Sequence, residues 1–176
     1  MGNRLYFIKG IVGQERLKVV GKHSPTRYTT YFETHARCME KLKASGVVVF
    51  DGLELIQLDD GRLKIEGVVQ CRGNLILSVY KALRLERTNT IPTVQTVRYS
   101  YNLSVAGQGN IFRYDDAHTH PGHSSKHHVH RFDPPGIENI NSPFETGEDW
   151  PTLTEVLQEV DQYFWEKIFY CVNSCD

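Results

Sequence analysis

The sequence predicts an α+β fold: a meandering antiparallel β-sheet with a C-terminal amphipathic helix packed on one face and an N-terminal strand/helix addition. Three observations predict it. From Leu53 to Tyr114, apolar and polar residues alternate in run after run, the period of a half-buried strand. Short turns separate the runs, and a short turn joins only antiparallel neighbours, because parallel strands need a long crossover. One strongly amphipathic helix follows, and its apolar stripe needs a surface that the sheet can supply.

The chain has 176 residues, 40% hydrophobic and 23% charged. These values suit one globular domain with its own core and exclude collagen, coiled coil and disordered classes. Residues 1–45 read as an addition expected to belong to the same domain as residues 46–176. No apolar run approaches the ~18 residues of a membrane span. The start, Met1-Gly2-Asn3-Arg4-Leu5-Tyr6, has neither a signal-peptide stretch nor the Ser or Thr of a myristoylation pattern. A cytoplasmic protein with no membrane partner is expected. Cys38, Cys71, Cys171 and Cys175 fit reduced thiols; Cys171 and Cys175 could pair on oxidation, but no second pair completes a zinc site.

The elements follow in order. Leu5–Val12 reads as a strand and Arg16–Val20 as its hairpin partner, with a break at Ser24-Pro25-Thr26. Glu33–Ser45 reads as a helix stopped by Gly46, which releases the chain into a Val47–Phe50 strand. Leu53–Leu58 is the next strand, and Asp59-Asp60-Gly61 the turn after it. Leu63, Ile65, Gly67, Val69 and Cys71 share one strand face. After Gly73-Asn74, Leu75, Leu77, Val79, Leu83 and Leu85 mark another, with Tyr80 and Arg84 on its reverse. Thr88–Thr93 reads as a loop. In Val94–Leu103, Val97, Tyr99, Tyr101 and Leu103 face one way, and Thr96, Arg98, Ser100 and Asn102 the other. Gly107–Asn110 turns into Ile111–Tyr114. Residues 137–151 look irregular. The C-terminal helix, 152–170, opens on the capping box Thr152-Leu153-Thr154-Glu155 and carries Leu153, Val156, Leu157, Val160, Phe164 and Ile168 on one stripe.

The net charge of −1 hides a gradient. Residues 1–45 carry nine Lys and Arg against three Asp and Glu, residues 46–131 ten against eight, and residues 132–176 one against ten. A basic surface for an anionic partner, shielded by the acidic C-terminal third, is one reading; ordinary solvation is the other.

Segment 115–131 carries the chemistry. It holds His118, His120, His123, His127, His128 and His130, preceded by Arg113, Tyr114, Asp115 and Asp116 and closed by Lys126 and Arg131. Three readings compete. In the first, imidazoles divide general base and acid work near neutral pH, as RNA cleavage requires, while a cation steadies the phosphorane charge. In an extended Lys126–Phe132, His128, His130 and Lys126 share one face, and His127 and Arg131 the other. The catalytic set is then His128 and His130 as acid and base, Arg113 on phosphate, Asp115 or Asp116 as orienter, and His118 and His120 next. No cofactor is required. In the second reading His118, His120, His128, His130, Asp115 and Asp116 hold a divalent metal, although the spacing matches no closed zinc motif. In the third, the histidines cap loops or satisfy buried carbonyls.

Arg84, Arg98 and Arg113 fall on three consecutive strands, with Tyr80, Tyr99, Tyr101 and Tyr114 nearby. With Lys126 and Arg131 they make a candidate surface for an RNA backbone and its bases; alternatively the tyrosines only cover the sheet.

Residues 47–161 resemble the TumE-type toxin family of prokaryotic toxin–antitoxin pairs. The shared features are Tyr99-Ser100-Tyr101, Ile111-Phe112-Arg113-Tyr114-Asp115, His118 with His120-Pro121, His127-His128-Val129-His130, and the Pro151-Thr152-Leu153 helix start; the Arg113-Tyr114-Asp115 and His127-His128-Val129-His130 combination is the specific part. Asp116 stands where the family usually has Asn, Ser125-Lys126 where it has Phe-Pro, and Val129 where it has Lys. The resemblance implies a growth-arresting toxin neutralised by a cognate antitoxin, often a helix-turn-helix DNA-binding protein. Ribonuclease activity is inferred from the histidines rather than from the family.

Overall fold

The computed structural model describes residues 22–58, 61–88, 91–116, 125–142 and 145–169. The candidate hairpin at Leu5–Val12 and Arg16–Val20, the pair Cys171 and Cys175, and His118, His120 and His123 lie outside these residues. The α+β expectation holds. The chain runs β1 (Thr26–Arg27), α1 (Tyr28–Ala44), β2 (Val48–Asp51), β3 (Glu54–Gln57), β4 (Arg62–Cys71), β5 (Leu75–Thr88), β6 (Ile91–Val105), β7 (Gly109–Asp115), β8 (His128–Arg131) and α2 (Leu153–Tyr163). A 3-10 turn, Gly147–Asp149, precedes α2, and a π-helical stretch, Phe164–Phe169, extends it. The eight strands form one open antiparallel sheet in the order β2-β4-β5-β6-β7-β8, with β3 also on β4 and β1 also on β6.

Period-2 alternation gives this sheet two unlike faces. On one, Leu63, Ile65, Val69, Leu75, Leu77, Val79, Leu83, Tyr99, Tyr101, Leu103, Phe112 and Tyr114 are buried in a single core with α1 and α2. The other carries Lys64, Ser78, Tyr80, Arg84, Arg98, Ser100, Asn102 and Arg113, and none of the described helices lies on it. Helix α2 buries Leu153, Val156, Leu157 and Val160 as its stripe predicts, and Phe164 follows. Each fully buried side chain of this kind contributes about 1.5–3 kcal/mol. Both halves of the capping box form: Glu155 N–H donates to Thr152 Oγ1 at 3.3 Å, and Thr152 N–H to Glu155 Oε2 at 2.7 Å.

Three details differ from what the sequence predicts. Helix α1 begins at Tyr28 rather than Glu33; Arg27 supplies no side-chain cap and the first turn has no acid, so no start signal exists there. Its end is as expected. Gly46, at φ +75°, donates to Lys43 O and Val47 to Leu42 O, closing the helix with the left-handed residue that glycine adopts without cost. The expected Thr88–Thr93 loop is mostly strand, because β5 and β6 stay paired up to Thr88 and Ile91. In β6 a register shift lets Leu83 face Thr96 while Ala82 faces Arg98, so Val97 is the extra residue. Below the bulge the faces exchange: Val94 and Thr96, not Val97, continue the helix-covered side.

Gly67 fixes how β2 and β3 share β4. Its φ is +141°, and a Cβ there would lie 2.1 Å from Gly52 O. Gly67→Ala therefore meets both strain and backbone contact. Chemical denaturation of this variant should show a loss of at least about 1–3 kcal/mol, the usual cost of a strained backbone position.

Candidate functional site

The β7–β8 ladder assembles the site. Asp115 faces His128 and Arg113 faces His130 across the two strands, and cross-strand partners project on the same side of a sheet. The intervening register pairs, Tyr114 with Val129 and Phe112 with Arg131, project on the helix-covered side. Arg113, Asp115, His128 and His130 therefore share the polar face. This is the facing expected of an extended segment, although the strand begins at His128, and Lys126 lies in an exposed bend before it. Residues 116–127 join the strands, so the chain bearing His118 and His120 leaves from Asp115 and returns at His128.

The four groups differ in access. Arg113 has a side chain 49% exposed and sets its Nε 2.6 Å from Asp115 Oδ2, while Asp115 is buried beneath it. His130 keeps 25% of its side chain exposed, and its Nδ1 lies 2.6 Å from Glu138 Oε1. His128 is only 1% exposed. The acidic segment covers this end of the sheet through backbone bridges from His128 to Glu145 and from Phe132 to Glu138. The carboxylate on His130 is thus Glu138, where Asp115 or Asp116 was the expected orienter. Glu138 reaches His130 because the Asp133–Gly136 bend folds the chain back along β8, and no periodicity in the sequence points to it. Asp116 instead accepts the Tyr99 N–H at 3.2 Å, and burial raises its carboxyl pKa.

Arg84 and Arg98 are exposed on the same polar face, on β5 and β6. Tyr80, which is 39% exposed, lies further along β5 opposite Ser100, beyond the Ala82–Arg98 pair. The tyrosines expected to stack bases are elsewhere. Tyr99, Tyr101 and Tyr114 are buried on the helix-covered side, where aromatic area is worth most against α1 and α2, so they offer no open platform to a nucleic acid. Arg131 also points there. It bonds Glu159 of α2 and the Tyr114 hydroxyl, and Tyr114 donates to Glu159 Oε2 at 3.0 Å, which ties β8 to α2. His127 belongs to the same side: its Nδ1 is 3.1 Å from Tyr99 Oη, and its ring stacks in the Tyr99–Trp150 group.

Among the described residues no three His, Cys, Asp or Glu side chains are placed to hold a metal ion. His118 and His120, two of the six candidate ligands, are not among them. Cys38 and Cys71 are free thiols. No described helix is long and apolar enough to cross a membrane.

This two-faced sheet, flanked by helices on one side only among the described residues, meets a sequence match that gives it a class. The profile of the family described as Toxin TumE matches residues 42–164, well over half of the chain. The chain belongs to that family, and so is the toxin component of a toxin–antitoxin system with a cognate antitoxin as partner. No curated protein and no solved structure matches it.

Burial lowers the pKa of His127 below its ordinary 6.5, and the neighbouring Lys126 charge adds to the effect. The fold thus opposes protonation. His127 contributes stability above the unfolded value, and that contribution is lost as pH falls from about 6.5 through the lowered folded value. His127→Phe should flatten the decline of Tm across that acid window; an unchanged slope would place the acid sensitivity elsewhere.

Proposed function

We propose that the toxin acts as a ribonuclease, with its chemistry centred on the Arg113–His130 pair of the polar face. The observation that carries this reading is the facing of an exposed guanidinium and a part-exposed imidazole whose Nδ1 is held by a carboxylate. A carboxylate on Nδ1 sets the tautomer and leaves Nε2 to exchange a proton with substrate. Arg113 supplies the fixed positive charge for the developing phosphorane. Asp115, buried against Arg113 Nε, positions that guanidinium.

Cleavage of RNA needs a second proton carrier. It comes from His118 or His120, in the connection that leaves at Asp115 and re-enters at His128, since His128 itself is buried. Arg84 and Arg98 extend the cationic track across β5 and β6 for the flanking phosphates. Base stacking falls to Tyr80 instead of the buried tyrosines. The partner antitoxin is, in this reading, a helix-turn-helix protein, and both act in the cytoplasm.

Purified protein incubated with RNA tests the reading. Cleavage should persist with chelator present, and His130→Ala or Arg113→Ala should lower it by about 10²–10⁴-fold, the usual contribution of a positioned acid or base. Glu138→Gln should shift the pH profile of cleavage more than it lowers the maximum. Cleavage abolished by chelator moves the histidines to metal ligation. Absence of cleavage, with RNA binding retained, leaves a binding module.

A further inference from the structure

Lys81 lies in the middle of β5, on the helix-covered face, in register with Leu75, Leu77, Val79 and Leu83. It is 2% exposed. Among the described residues its ammonium has no carboxylate and no hydrogen-bond acceptor; Nζ sits 4.9 Å over the Tyr31 ring. A lone ammonium in a core is costly, and this amine responds as physics requires: burial pushes its pKa down to about 7.

The lysine opens on a cavity of about 370 Å³ between β5, β6, α1, the start of α2 and the stretch from Lys22 to β1. Two more polar atoms on its wall are shielded from solvent, His35 Nδ1 and His23 Nε2, in rings whose polar neighbours are the backbone of Tyr31 and of Trp150 respectively. Burial also lowers the pKa of His35 to about 3, so its ring is neutral. The other nearby cation, Lys22, is already satisfied by Asp149 and Glu155, each at 3.0 Å. The cavity wall therefore carries one amine with no counter-ion among the described residues, two shielded imidazoles, the Thr96 hydroxyl paired with Tyr31, and the Glu155 carboxylate that Lys22 holds.

We propose that this cavity binds a small molecule through an oxyanion head, phosphoryl or carboxylate, seated on Lys81 Nζ and hydrogen-bonded by the wall around His35 and Thr96. The bound charge would supply a counter-ion that none of the described residues provides. The cavity lies on the opposite side of the sheet from Arg113 and His130, so a ligand here is a second input to the toxin rather than part of its RNA track.

Calorimetric titration of the full-length protein with inorganic phosphate and, separately, with citrate tests this. Saturable binding of at least one is expected, with a rise in Tm; which of the two binds identifies the head group. Lys81→Met should weaken that binding at least tenfold while leaving Tm equal or higher, since it removes a buried charge and keeps the side-chain length. Should that variant fail to fold, Thr96→Val must still weaken the binding for the proposal to stand. Arg113→Ala should leave the affinity unchanged whatever it does to RNA cleavage. No saturable heat from either anion, an affinity unaltered by Lys81→Met, or an affinity abolished by Arg113→Ala would each overturn the proposal.

Discussion

The antiparallel ladder from β4 to β8 is the constraint on which the rest depends. Each strand commits alternate side chains to one face, and the register multiplies that choice across the sheet. Because α1 and α2 need an apolar surface, one face becomes core. The other is left to polar groups with none of the described helices over them. A shift of one residue in β8 would send His128 and His130 into the core side and Val129 to the polar side. The pairing of Tyr114 with Val129 prevents this, since both bury their side chains, and the Arg131–Glu159 bond anchors the chain two residues on to α2. Apolar packing on one side thus holds the chemistry in place on the other.

Acidic residues near the C-terminus have a specific geometry rather than a diffuse one. Glu138 sits on His130, Asp149 and Glu155 on Lys22, and Glu159 on Arg131. Exposed pairs of this kind are worth little to stability, about 0–1 kcal/mol each. Their effect is positional: they bring the acidic third of the chain back against its basic and histidine-bearing parts. Among the described residues, part of the charge gradient along the sequence becomes local neutralisation at Lys22, His130 and Arg131.

Lys81 breaks the rule that the sheet otherwise obeys. A methionine would fill the same stripe without the desolvation cost, and its neighbours at that period, Val79 and Leu83, are aliphatic. Such exceptions cluster where a protein binds or reacts. The stripe is visible in the sequence as Leu75, Leu77, Val79, Leu83 and Leu85. The position between Val79 and Leu83 is the one that alternation assigns to the core and that composition would place outside.

Local signals in the sequence determined the antiparallel sheet, the strands of the meander, the Gly46 stop, the capped C-terminal helix and the common face of His128 and His130. All of these rest on nearest-neighbour physics: period 2, period 3.6, turn residues and caps. They extend as far as the family, since the Arg-Tyr-Asp and His-His-x-His elements are contiguous. The tertiary structure alone decided that Tyr99, Tyr101 and Tyr114 are core, that Val97 is a bulge, that Glu138 partners His130, and that Lys81 is enclosed. A tyrosine or lysine has an apolar body and a polar tip, so its sequence position fits either face. Only the arrival of α1 and α2, and of a chain folded back after Asp133, settles which groups water still reaches.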